Sequence, residues 1–73
     1  MSCGQILKSL REDKDLFQKD IAKILNTSQS YYAQYENDKR PLPIEHLKTL
    51  CLFYNVSADY ILDLPKNLEY IER

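Results

Sequence analysis

The chain has 73 residues, 44% of them hydrophobic, and ten Lys plus Arg against eleven Asp plus Glu leave a net charge of -1. That length makes one domain with a single small core, and no apolar run approaches the ~20 residues that span a bilayer. Met1 is followed by Ser-Cys-Gly-Gln, with no basic segment or long apolar stretch, so neither signal peptide nor membrane is expected and the location expected is cytoplasmic.

Residues 3 to 13 put Ile6, Leu7 and Leu10 at helical spacing, with Lys8, Arg11, Glu12 and Asp13 elsewhere on the turn, which predicts a first amphipathic helix. Gly4 weakens its opening turn. A second helix is predicted from Gln18 to Leu25, with Ile21, Ala22 and Leu25 inward, ending at Asn26, a residue able to adopt the left-handed conformation. Ser28 is then placed to cap a third helix from Gln29 to Glu36. On a wheel of ~100° per residue counted from Gln29, Ser30, Ala33, Gln34 and Asn37 fall within roughly 140°. Ser28, Tyr31, Tyr32 and Tyr35 fall between roughly 200° and 300°, so one face packs, with Tyr32 in the core, and the other stays free. Glutamine and asparagine can pair with adenine in the major groove, and serine accepts or donates, so the free face suits base edges. Periodicity alone fits a solvated helix face equally well.

Asn37 to Pro43 form a connector in which Pro41 and Pro43 stop the helix, and Lys39 and Arg40, taken alone, read as surface charges. Ile44, Leu47, Leu50, Cys51 and Tyr54 recur at three- and four-residue steps, predicting a fourth helix that forms the back wall of the core. His46, the only histidine, is expected on the surface of that helix, and a lone histidine excludes a multi-histidine metal site. Cys3 and Cys51 are too far apart for a disulfide framework, so reduced thiols are expected, with Cys51 a small core residue. Asn55 closes the fourth helix. Ser57 caps a fifth carrying Tyr60, Ile61 and Leu62, with Asp59 favouring its positive end, and Pro65 ends it. The tail, 65–73, has Leu68 and Ile71 three apart, enough for a helical turn or a dimer contact. No β pattern, nucleophile–base pair or glycine-rich phosphate cradle is present, so the expectation is an all-α, compact five-helix bundle over residues 1–64 that is not an enzyme and holds no cofactor or metal.

Gln18, Ala22, Asn26, Ser28, Tyr35-Glu36-Asn37 and Lys39-Arg40 match, in order and spacing, the pattern of a known family, and so do Pro43-Ile44-Glu45-His46-Leu47 and the run from Asn55 to Leu62. Across roughly residues 5 to 64 the chain resembles the Cro/repressor-type, or xenobiotic-response-element, helix-turn-helix family. That resemblance implies a bundle of lambda-repressor-like DNA-binding type and a transcriptional regulator, most simply a repressor binding a palindromic operator as a dimer. It assigns base reading to Gln29, Ser30, Ala33 and Gln34, with Ala33 near a thymine methyl, and phosphate contacts to Gln18, Asn37, Lys39 and Arg40. Arg11 and Glu36 correspond to a structural ion pair that in some relatives bridges the first and third helices.

Three residues depart from the pattern. Phe17 stands where a serine or threonine cap is usual, Asp38 replaces a glycine and brings negative charge towards the phosphate contacts, and Tyr31 is large for its position. Tyr31 is expected to reach the sugar-phosphate wall or to flank the core. Leftover apolar side chains at Tyr60, Leu64, Leu68 and Ile71 are the expected homodimer surface, and no small-molecule effector is indicated. Because DNA binders usually carry a basic excess, the net charge keeps open an alternative: a protein-interaction module, antitoxin-like or an anti-repressor subunit, with little DNA binding.

Overall fold

Ser2 starts the first helix through a reciprocal capping box: its hydroxyl accepts the Gln5 backbone N–H at 3.1 Å and its own N–H donates to the Gln5 side-chain oxygen at 2.8 Å. The computed structural model describes residues 1–64. They form α1 (Cys3–Asp13), α2 (Gln18–Ile24), α3 (Gln29–Glu36), α4 (Ile44–Tyr54) and α5 (Ala58–Leu62), the all-helical five-helix bundle expected, with no strand among the described residues. The expected turn or dimer contact at Leu68 and Ile71 lies outside the described residues.

All five helices stop in the same way. Asp15, Asn26, Asp38, Asn55 and Asp63 have φ between 55° and 57°. The amide of the next residue reaches back over the end of its helix, from Leu16 to Arg11, Thr27 to Ala22, Lys39 to Gln34, Val56 to Cys51 and Leu64 to Asp59, at 2.9 to 3.2 Å. These are Schellman ends, in which a left-handed residue lets orphan carbonyls find donors, and here aspartate and asparagine do what glycine usually does.

The only glycine is used for close packing instead. Gly4 is buried, and a Cβ on it would meet the Glu36 carbonyl oxygen and come within 2.7 Å of the Glu36 carbonyl carbon and the Tyr35 carbonyl oxygen. Its missing side chain brings the start of α1 onto the end of α3, so its helix-weakening tendency is traded for an interhelical contact.

Each helix gives the core one side chain with no exposed surface: Leu7, Ile21, Tyr32, Leu50 and Ile61. Ala22, Leu25, Tyr35 and Tyr54 surround them. Full burial of an apolar side chain is worth about 1.5–3 kcal/mol, so these five positions carry a large share of the driving force. The core-wall expectation for α4 needs one correction: Ile44 is 82% exposed, because it sits on the first turn, where the half-buried places go to His46 and Leu47. His46 is likewise not a plain surface residue. Its Nδ1 lies 3.0 Å from the Tyr35 hydroxyl.

Gly4→Ala should therefore destabilise the fold by about 1–3 kcal/mol through overpacking, although alanine is the better helix former. Urea midpoints of the two proteins check this, and a more stable variant would contradict the close contact.

Candidate nucleic-acid interface

The segment from α2 to α3 is built by local rules. Asp20 repairs the missing cap at Phe17: its carboxylate accepts the Phe17 N–H at 2.8 Å, while the Phe17 ring stays exposed with the Lys19 ammonium 5.6 Å from its centroid. The left-handed Asn26 follows the end of α2, and the Ser28 hydroxyl accepts the Tyr31 N–H at 3.1 Å, capping α3, which begins at the next residue. α2 and α3 pack on each other, and α1 packs on α3.

α3 divides as its periodicity requires. Tyr32, Tyr35 and Glu36 are buried, Gln29 and Ser30 are exposed, and Ala33 and Gln34 are half-buried beside them. Asn37, Lys39 and Arg40 follow at the exposed end. Gln18 stands half-buried at the start of α2, where its side-chain amide donates to Glu36 Oε1 at 3.1 Å. Its second amide N–H and its helix-opening backbone N–H are not used by Glu36.

Behind this face lies a buried charge. The Glu36 carboxylate, on a residue 6% exposed, receives Arg11 Nε at 2.7 Å and Arg11 Nη2 at 3.1 Å, a two-pronged contact that ties α1 to the end of α3. Arg11 Nη1 also donates to the Leu16 carbonyl at 2.8 Å. Burial alone would push the Glu36 carboxyl up, yet hydrogen bonding, foremost from Arg11 and also from Gln18, outweighs it and holds the group below the usual carboxylate range. The Tyr32 and Tyr54 hydroxyls are buried with no hydrogen-bond partner among the described residues. Burial, with the Glu36 charge added, pushes the Tyr54 phenol up to about 12.

Asp38, exposed next to the expected phosphate contacts, keeps its negative charge there but has its carboxylate engaged at another helix. It takes up α1: Oδ2 accepts the Ser2 hydroxyl at 2.6 Å and Oδ1 accepts the Gly4 N–H at 2.9 Å. These bonds hold its carboxyl below the usual range, and the anion sits against the positive end of a helix. Nothing in the sequence spacing linked residues 2 and 4 to residue 38. On the other side of the connector, Arg40 folds over Tyr31, its guanidinium 4.6 Å from the ring centroid, and its Nε donates to Gln34 Oε1 at 3.1 Å. Tyr31 meets Tyr35 edge-on, with ring centroids 5.6 Å apart.

The disposition of charge now differs from the total. Glu36 is neutralised inside, Asp38 is engaged at α1, and the exposed positions of α3 are uncharged and followed by Lys39 and Arg40. Lys19 and Lys23, both exposed on α2, add cations that the sequence pattern did not single out. Among the described residues no group of three or more His, Cys, Asp or Glu is placed to hold a metal, and no helix is long and apolar enough to cross a membrane.

Two short helices around an Asn-Thr turn, the second with a polar exposed face and cations at its end, define a helix-turn-helix DNA-binding domain. Residues 4–66 match the family model described as "Helix-turn-helix domain", and the chain belongs to that family. It is 40% identical over 57 residues to the HTH-type transcriptional regulator PrpR of Mycobacterium tuberculosis, covering 78% of this chain and 12% of that protein. It is 39% identical over 62 residues to the HTH-type transcriptional regulator ImmR of Bacillus subtilis, 85% of this chain and 49% of that protein. It is 33% identical over 69 residues to the antitoxin PezA of Streptococcus pneumoniae, 94% of this chain and 44% of that protein. The chain thus spans about half or less of the length of these relatives, and the kinship is to a helix-turn-helix transcriptional regulator.

Removing the Glu36 carboxylate strands Arg11, so Glu36→Ala should cost about 3–5 kcal/mol. The folded-state carboxyl is lowered, so its stabilisation is complete above the unfolded value of about 4.3 and fades as pH falls through the folded value. Glu36→Gln should accordingly flatten the loss of stability with acid below about pH 4.3, measured by urea midpoints from pH 7 to pH 3. An unchanged acid limb would show that other carboxylates set it.

Proposed function

We propose that this chain is the DNA-reading unit of a transcriptional repressor that binds a palindromic operator as a two-fold dimer. The observation that carries the reading is that both acidic side chains at the end of α3 are engaged within the molecule: Glu36 is buried against Arg11, and Asp38 is bonded to the start of α1. That supports Gln29, Ser30, Ala33 and Gln34 as the base-reading set, since uncharged amides, a hydroxyl and a methyl suit the major-groove pattern. Asn37, Lys39, Arg40, the Gln18 backbone amide and the Tyr31 edge then position the helix on phosphates, contacts that fix register without reading sequence. Ala33 touches a thymine methyl in this arrangement. Kinship to PrpR and ImmR, both named transcriptional regulators, supports regulation of transcription as the output.

Dimerisation supplies what one short helix lacks. Two copies place recognition helices about 34 Å apart, one turn of duplex, and double the contacts. Tyr60, Leu62 and Leu64, exposed at α5, supply apolar area for that contact. A second reading rests on the likeness to a protein named an antitoxin: the same bundle would serve a protein partner, and the slightly acidic total charge would then carry no penalty.

Titration of duplex DNA across a salt series separates the two, because every phosphate that a cation neutralises steepens the fall of log affinity with log salt by about 0.9. Steep salt dependence is expected, and an intact fold that binds no duplex at low salt would favour the partner reading. Lys39→Ala should reduce the slope by about one and weaken all sequences alike, whereas Gln34→Ala should relax base preference at one position. Selection from a random duplex pool should return inverted half-sites about 10 base pairs apart. Sedimentation as a monomer at every concentration, with and without that duplex, would remove the dimer.

A further inference from the structure

Arg40 is joined to Gln34 by a bond whose chemistry leaves one arrangement of the glutamine. A guanidinium has only donors, so the Gln34 atom 3.1 Å from Arg40 Nε is the carbonyl oxygen Oε1. The amide NH2 is then its free end. Arg40 is itself held in place, its guanidinium carbon over the Tyr31 ring 4.6 Å from the centroid, and Tyr31 is braced edge-on by the buried Tyr35. The backbone fixes the approach as well, since the Lys39 amide closes the end of α3 on the Gln34 carbonyl at 2.9 Å.

We propose that Arg40 is a positioning residue for base readout, turning Gln34 into a donor that selects guanine over adenine at its position in the half-site. The inference rests on the DNA-reading role proposed above for α3. Adenine presents an acceptor at N7 and a donor at N6, and a glutamine pairs with both only when its carbonyl oxygen faces N6. With Oε1 turned to Arg40, the adenine N6 donor meets an amine donor. Guanine presents acceptors at both N7 and O6, which the free NH2 satisfies. The N–H groups on the two Nη atoms of Arg40 are not used by Gln34, so one guanidinium can orient the glutamine through Nε and meet a phosphate through its Nη atoms. Lysine would keep the charge and lose the fork and the stacked plane.

The test measures binding to duplexes that differ only at the base pair where Gln34→Ala abolishes preference, using the wild-type chain, Arg40→Lys, Gln34→Ala and the double variant. Arg40 is exposed, so its replacement leaves the core intact. The wild type should prefer guanine to adenine there by about tenfold. On Arg40→Lys the guanine-to-adenine affinity ratio, in which any uniform loss from the phosphate contact cancels, should collapse or turn to adenine, and the double variant should show the flat profile of Gln34→Ala. Wild-type preference for adenine, or an Arg40→Lys variant weakened equally on all duplexes with guanine preference intact, would overturn the role of Arg40 alone. A wild-type chain that binds no duplex would overturn the DNA reading together with it.

Discussion

The Glu36 carboxylate is where three helices meet, and much of the bundle depends on its being satisfied. It closes α3, receives two nitrogens of Arg11 from α1 and receives the amide of Gln18 from α2. A carboxylate taken out of water costs several kcal/mol unless paired in good geometry, so the three helices are held to one arrangement in which every partner is in reach. An apolar residue at the same place would pack without saying how α2 should sit across α3. The polar linkage ties the start of α2 to the end of α3, and that relation decides how the exposed face of α3 is presented. Gly4 acts at the same junction, since its bare Cα brings the opening turn of α1 against the backbone of Tyr35 and Glu36.

The same junction explains how a chain of net charge -1 presents a face suited to an anion. Total charge governs long-range attraction, but an exposed pair is screened beyond about 10 Å at moderate salt, so the local arrangement dominates at contact. Here two acidic side chains near the end of α3 are engaged within the molecule, Glu36 in the interior and Asp38 on the first turn of α1. Lys39 and Arg40 lie just beyond them, with Lys19 and Lys23 on the neighbouring helix. Acidic residues without such roles, such as Glu12, Asp13 and Glu45, sit on other elements.

Local signals in this sequence are strong, which is why the five helices were legible: Ser28 and Ser57 accept cap bonds from Tyr31 and Tyr60, and Asn26 and Asn55 take positive φ. The apolar spacing that puts Leu7, Ile21, Tyr32, Leu50 and Ile61 at the centre is likewise local. What escaped depends on contacts between residues far apart in the chain. Gly4 reads as a weak helix opener until α3 is seen lying on it, and Asp38 reads as an intrusive charge until Ser2 and Gly4 are seen donating to it. Ile44 fits the periodic apolar face of α4, but periodicity cannot say that no element covers the first turn. Ser2 and Gln5 form a capping box that was readable from spacing alone. At the interface, the polar face of α3 follows from its period, whereas the coupling of Gln34 to Arg40 needs the left-handed turn at Asp38 to bring the connector back.

That turn joins the end of α3 to the start of α1 through one residue. A glycine at 38 would take φ of 57° without the penalty an L side chain pays, so aspartate is the less favourable choice for the turn itself. Its side chain offsets this by accepting the Ser2 hydroxyl and the Gly4 amide, the latter one of the helix-opening N–H groups of α1 that need a partner. The consequence reaches past stability. A glycine there would leave the root of the connector held to α3 alone, whereas aspartate also ties it to α1, which Arg11 has already fixed to Glu36. The connector therefore leaves α3 in a defined direction, and Arg40 returns over Tyr31 to Gln34. An acidic residue beside the cations weakens their field and sharpens their placement.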